Sequence, residues 1–287
     1  MTNLKKGILM MVLSSLFFGL MSVFIKLSGD IPTMEKSFFR NIIAAFFAFI
    51  IIYKKGIKLK IKKHTLSNLI IRSIAGTLGI LCNFYGVDHL LLADASILNK
   101  LSPFFAIIFS YLLIKEKISL KQSIIIIIAF VGALFVIKPT FSLEIIPFLI
   151  GLMGGLFAGL AYTEVRILGL KGVSGPFVVF FFSTFSCLIV LPFVVLNYVP
   201  LNINQALYLL LAGLSATGGQ LTITAAYFYA KAKDISIYSY SQIIFVAFFG
   251  YILFEQVPDA YSLIGYLIII LMAIIMFIYN KRIKKTN

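Results

Sequence analysis

The sequence predicts an all-α integral membrane protein of ten transmembrane helices, built as two inverted five-helix repeats. Three observations predict it: ten apolar runs joined by short connections, Lys and Arg concentrated in alternate connections, and a match of the chain to itself at a constant offset of 140 residues. The 287 residues are 61% hydrophobic and 12% charged, with a mean hydropathy of +1.06. A soluble domain runs at about 45–50% apolar and about 25% charged, so a soluble globular protein is excluded. One spanning helix takes about 20 residues, so ten take roughly 200 and leave little beyond short loops.

The spans follow in order. Span one is placed at 7–27, where the stretch from Gly7 to Ile25 is almost unbroken apolar sequence. Its basic start resembles a secretory signal, but the run is too long and no small-residue cleavage site precedes Lys26, so it is expected to stay in the chain. Span two (35–53) opens on Glu35, span three (68–87) ends before Asp88, and span four (94–114) holds the polar group Asn99, Lys100 and Ser102 beside Pro103. Span five (119–137) contains IIIIIAFVGALFVI from Ile124. Spans six (147–168) and seven (176–196) are rich in glycine and phenylalanine respectively, span eight (205–229) in small and hydroxyl residues. Span nine (235–254) begins with IYSYSQ, and span ten (260–279) runs into KRIKK. Helices are required because a lipid-exposed backbone must satisfy its own hydrogen bonds, and the alternation of a β-barrel strand is absent. Cys82 and Cys187 lie within apolar runs and read as small buried side chains, with neither a disulfide framework nor a metal site in view.

Alternate connections carry opposite charge. Lys5, Lys6, Lys54, Lys55, Lys58, Lys60, Lys62, Lys63, Lys115, Lys117, Lys121, Arg166, Lys171, Lys231, Lys233, Lys281, Arg282, Lys284 and Lys285 form one set, 19 of the 25 basic residues. The other side holds Asp30, Glu35, Asp88, Asp94, Glu144, Glu255 and Asp259, seven of the ten acids. Positive residues stay cytoplasmic, so both termini are expected inside a multi-pass cell-membrane protein. The net charge of +15 is then an orientation signal that suits an anionic inner leaflet. It does not point to nucleic acid.

At the offset of 140, ten of the 37 residues from 77 to 113 are identical without a gap. Thr77/Thr217, Gly79/Gly219, Asp94/Asp234, Ser96/Ser236, Phe105/Phe245 and Phe109/Phe249 are among them. The offset pairs span three with eight and four with nine, so each half holds five helices, with halves expected at 1–139 and 140–287. An odd number of spans inverts the second half, and the change from basic Lys115 and Lys117 to acidic Glu255 and Asp259 agrees. Inverted halves give a two-fold axis in the membrane plane, the usual construction of a secondary transporter with alternating access.

The segment from Phe84 to Ser119, the FFRN of span two, the VIKP ending at Pro139 and the FGYILFEQVP closing span nine resemble the EamA family of the drug/metabolite transporter superfamily. The likeness covers nearly the whole chain. It implies a ten-helix transporter whose central cavity is lined by spans one, three, four, six, eight and nine. Ile243 stands where the repeat would place a second Pro103.

Polar groups in hydrocarbon cost free energy, about 2.5–3.5 kcal/mol for a central charge, so each needs a reason. Pro103 has no N–H to offer the carbonyl of Asn99. A freed carbonyl, an amide and an ammonium therefore meet near Asn99, Lys100 and Ser102, where they can hold a substrate carboxylate. The plainer alternative is that Lys100 snorkels or pairs with Asp94 or Glu35 and that Pro103 only shapes the helix. Asn83, Tyr85, Gln220, Tyr240, Gln242 and Tyr162 complete the candidate substrate-binding set, against the alternatives of interhelical hydrogen bonds and interfacial tyrosines. Thr222 and Thr224 are read as bonding their own helix. Glu164 is the candidate for proton coupling, against a solvated group at the helix end. Arg40 is read as a structural anchor. The glycines at 151, 155 and 159, like Ser215 and Gly219, are read as faces for close helix approach.

His64 and His89 stand in loops without metal spacing, and no GxSxG, Walker A or HExxH is present. An enzyme is not expected, nor are a catalytic residue, a metal or a cofactor. The function read from the sequence is secondary active or facilitative transport of a small organic metabolite, with an amino-acid-like anionic or zwitterionic cargo favoured because Lys100 faces no central acid. A monomer is the expected assembly. The alternatives are a non-transporting membrane enzyme or scaffold, and a passive pore.

Overall fold

A computed structural model describes residues 3–57, 63–115, 119–137, 145–230 and 235–286. Of the sequence features above, Lys58, Lys60, Lys62, Lys117, Lys138, Pro139, Glu144, Lys231, Lys233 and Asp234 lie outside the described residues. The helices are span one Asn3–Leu27, span two Thr33–Lys54, span three Lys63–His89, span five Leu120–Ile137, span six Ile146–Leu170, span seven Gly175–Leu196, span eight Ile203–Tyr229 and span ten Ala260–Thr286. Most of them outrun the apolar stretch by a few residues, because charged ends can leave the hydrocarbon without leaving the helix.

Spans four and nine differ from the continuous helices expected at 94–114 and 235–254. Span four consists of Leu92–Asn99 and Ser102–Ile114. Between them Leu101 N–H reaches back to the carbonyl of Leu98 rather than a full helical turn. Pro103 has no N–H to continue the ladder, so the expected loss of one hydrogen bond becomes a break. Span nine opens with a 3-10 turn, Ser236–Tyr240, before the helix Ser241–Phe254. There the proline is missing, and the turn is tightened by Ser241 Oγ donating to the carbonyl of Tyr238 at 2.7 Å. Two different devices thus interrupt equivalent spans. Both half-helices end alike: Lys115 (φ 58°) and Glu255 (φ 53°), 140 positions apart, are left-handed non-glycine residues.

Helix packing follows the repeat. Span one packs along span eight, and span six along span three. Spans two and seven, four and nine, and five and ten also pair. Exchanging the halves swaps the first two pairings and returns each of the last three to itself. That is the behaviour of a two-fold axis in the membrane plane. The correspondence extends to single residues. A methyl placed on Gly159 would lie 2.6 Å from Phe105 Cβ, and one on Gly19, 140 positions earlier, 3.4 Å from Phe245 Cβ. Ser15 Oγ donates from span one to the carbonyl of Ser239 on span nine at 3.2 Å, and a methyl on Gly155, 140 positions after Ser15, would lie 3.5 Å from the carbonyl oxygen of Asn99, the equivalent of Ser239.

The distribution of side chains is that of a protein in lipid. Phe46, Leu112, Ile127, Leu188, Ile244 and Leu267 are exposed, while Ser14, Ser37, Asn41, Ser183 and Ser186 are buried. Lipid offers apolar chains as good a home as the interior, so close packing of small residues and interhelical hydrogen bonds hold the helices together. Asn41 illustrates this: its amide donates to Ser37 on its own helix and to Ser186 Oγ of span seven at 2.9 Å.

Candidate substrate cavity

The glycine face of span six positions the break. A methyl on Gly155 would lie 2.6 Å from the carbonyl oxygen of Leu98, and one on Gly151 3.2 Å from the Leu98 side chain. Glycine therefore lets span six lie directly on the interrupted backbone. From the opposite half, the buried Tyr240 hydroxyl donates to the carbonyl of Lys100 at 2.8 Å. Tyr240 and Lys100 are themselves repeat equivalents, so the two breaks meet. Ser102–Ile114 and Ser241–Phe254 both start at this junction, and each helix start carries the positive end of its dipole.

Beside the junction is a cavity of about 600 Å³, its mouth included. It takes Lys100 and Asn99 from span four, Arg72 and Asn83 from span three, Arg40 from span two, Tyr162 from span six, Phe182 from span seven, Gln220 from span eight and Gln242 from span nine. Arg40 and Arg72 are 1% exposed and Lys100 7%. Among the described residues, no ion pair joins any of the three to a carboxylate. Asp94 instead accepts from Tyr266 at 2.6 Å, and Glu35 from the Val199 N–H at 3.2 Å. The lining contains no acid.

The arginines are held without being neutralised. Phe182 presents its ring to both: Arg72 Cζ is 4.0 Å from the centroid and Arg40 Cζ 5.7 Å. Gly76 makes room, since a methyl there would meet Arg72 Nη1 and lie 2.7 Å from the Phe182 ring. Arg40 also donates through Nη1 to Asn41 Oδ1. Arg40 Nε, Arg72 Nε and Arg72 Nη1 have no hydrogen-bond partner, and neither does Gln220 Oε1. Buried polar atoms left unpaired are costly, and these four belong to residues that line the cavity.

Asn83, Asn99, Lys100, Tyr162, Gln220 and Gln242 of the expected set therefore come together, with Tyr240 directly behind them. Tyr85 does not join them: its ring stacks on His89 at 4.0 Å, because it points one helix face away from Asn83. Ser102 is buried in the contact with span six and does not line the cavity. Pro103 shapes the helix, in the first turn after the break. Glu164 is buried outside the cavity, where Asn68 Nδ2 donates to it at 2.7 Å and Lys171 donates to Asn68 Oδ1 at 2.6 Å. It is not the solvated end group considered above. Thr222 bonds its own helix at Gly218, as expected. Arg40, read as an anchor, lines the cavity, and spans two and seven join the six implied by the resemblance. Arg72 is absent from the sequence reading altogether. Its signal was present, an arginine four residues inside the span expected at 68–87, among Leu69, Ile70, Ile71 and Ile74.

These features define a polytopic membrane protein built of two inverted repeats. The EamA-like transporter family matches the chain twice, at residues 5–138 and 145–278. The chain belongs to this family and is a transporter of small molecules. It is 31% identical over 274 residues to the pseudopaline exporter CntI of Pseudomonas aeruginosa, covering 94% of this chain and 95% of that protein. An uncharacterized transporter of Helicobacter pylori is 28% identical over 285 residues, covering 92% of each chain. Human solute carrier family 35 member G1 is 26% identical over 287 residues, covering 92% of this chain and 76% of that one. A solved crystal structure aligns with a TM-score of 0.70 at 14% identity, over 97% of this chain and 99% of the other, and supports the fold alone.

Proposed function

We propose that the protein carries a small organic anion or anionic zwitterion across the cell membrane by alternating access. The carrying observation is the cavity in which Arg40, Arg72 and Lys100 meet no acid. Charge in low dielectric is tolerable when an opposite charge arrives to pair with it, and an anionic cargo supplies that charge. Gln220 Oε1, without a partner, offers an acceptor to a cargo ammonium or hydroxyl. The relative that exports pseudopaline is consistent with export of a metabolite.

The test is counterflow in proteoliposomes. Labelled organic acids are expected to exchange in a substrate-dependent way, and Lys100→Ala to slow that exchange tenfold or more. Movement of lipophilic cations with the acids inert, unimpaired in Lys100→Ala, rejects the site. Leakage without counterflow identifies a pore.

Two further readings accompany this one. The loop charges put both termini in the cytoplasm, so a reporter fused after Asn287 is expected to report the cytoplasmic side, and an extracytoplasmic signal refutes the topology. Glu164 couples transport to protons through its link to Asn68 between spans six and three. Glu164→Gln is then expected to flatten the pH dependence of net uptake while leaving exchange intact, and an unchanged pH profile removes Glu164 from that role.

A further inference from the structure

The three cations do not form one cluster. Span six is a ruler for their separation, because it lies along the other elements throughout. At Gly154 and Gly155, added methyls would touch Asn83 N and Asn99 Cα, at 3.3 and 3.5 Å. This is the level of Lys100. Seven residues on, about 10 Å along the helix, is Tyr162, which lines the cavity together with both arginines. On the continuous helix of span three, Arg72 stands eleven residues before Asn83, about 16 Å of helix rise. Between the two levels the lining is small or apolar, with Gly79, Ile80 and Ala158.

We propose that the cargo is an elongated organic acid with two separated anionic groups, one held by Lys100 with Asn83 and Asn99, the other by the guanidinium pair on Phe182. This rests on the anion reading given above and sharpens it. Three guanidinium nitrogens of the arginine pole have no hydrogen-bond partner, and a guanidinium is built for forked recognition of a carboxylate. The lysine pole offers an ammonium beside two side-chain amides. An acid with one charged group satisfies one pole and leaves the other buried and uncompensated, so each pole selects for the second charge.

The experiment uses the purified full chain in nanodiscs, titrated with the unbranched dicarboxylates from malonate to azelate and with the monomethyl ester of each. Ester and diacid share chain length and differ in one charge. The expected result is a length optimum at which the diacid binds at least tenfold tighter than its ester. Lys100→Met is expected to bring the diacid down to the affinity of the ester. Equal binding of diacid and ester in the wild type, or no dependence on length, overturns the two-pole cargo and leaves the anion reading standing. Failure of every acid to bind removes both. The wild-type comparison needs no variant, so a poorly folded Lys100→Met does not blunt it.

Discussion

Arg72→Leu is expected to abolish counterflow of an acidic cargo while leaving the fold as stable as the wild type or more so. The two effects have one origin. A charge inside a membrane helix costs about 2.5–3.5 kcal/mol on insertion scales, and Arg72, 1% exposed, has no carboxylate partner that would repay this. Removing it relieves the fold. The same removal deprives the cargo of charge-assisted hydrogen bonds worth about 1.5–3 kcal/mol, hence about 10- to 100-fold in affinity. Arg72→Lys keeps the charge and loses the planar fork, so it is expected to fall between the two. Thermal unfolding without ligand and counterflow, measured on the same preparations, check both halves. Full transport by Arg72→Leu refutes its role at the cavity, and a large drop in stability means that the arginine holds the helices together instead.

Gly155→Ala is expected to damage the protein through packing. The added methyl would lie 2.6 Å from the carbonyl oxygen of Leu98 and 3.5 Å from Asn99 Cα. These are backbone atoms of the interrupted helix and cannot rotate aside. Overpacking of this kind costs about 1–3 kcal/mol, and it would also push span six away from the Lys100 level of the cavity. Gly151→Ala, one turn earlier on the same face, is the control. There the nearest atom is the Leu98 Cδ1 methyl at 3.2 Å, a side-chain end that can yield. Thermal unfolding and counterflow should separate the two variants, and equal behaviour would mean that the close approach at Gly155 does not set the geometry of the break.

Much of this was legible in the sequence because lipid imposes simple rules. A backbone without water must be helical, so hydropathy located all ten spans to within a few residues. The offset of 140 paired Lys100 with Tyr240 and Phe105 with Phe245, and both pairs reappear as equivalent positions about the two-fold. Lys100, Asn99, Asn83 and Gln220 stood out as polar residues in hydrocarbon. Arg72 met the same criterion and was missed, since it stands only four residues inside the span expected at 68–87, toward its basic end. Tyr85 failed for the opposite reason: polarity within a span says nothing about which helix face looks inward.

The inventory is written along the chain: ten helices, two inverted halves and a short set of polar residues that hydrocarbon would not tolerate without cause. Which of them share a space depends on how the helices pack. Arg40 and Arg72 are 32 positions apart, and both are 60 or fewer positions from Lys100, yet nothing along the chain tells that Phe182 of the other half lies against the two guanidiniums. Nor does it tell that Tyr240 closes on the carbonyl of Lys100. Insertion into the membrane depends on the composition of each helix taken alone, whereas a cavity is made where helices from both halves fall short of close packing.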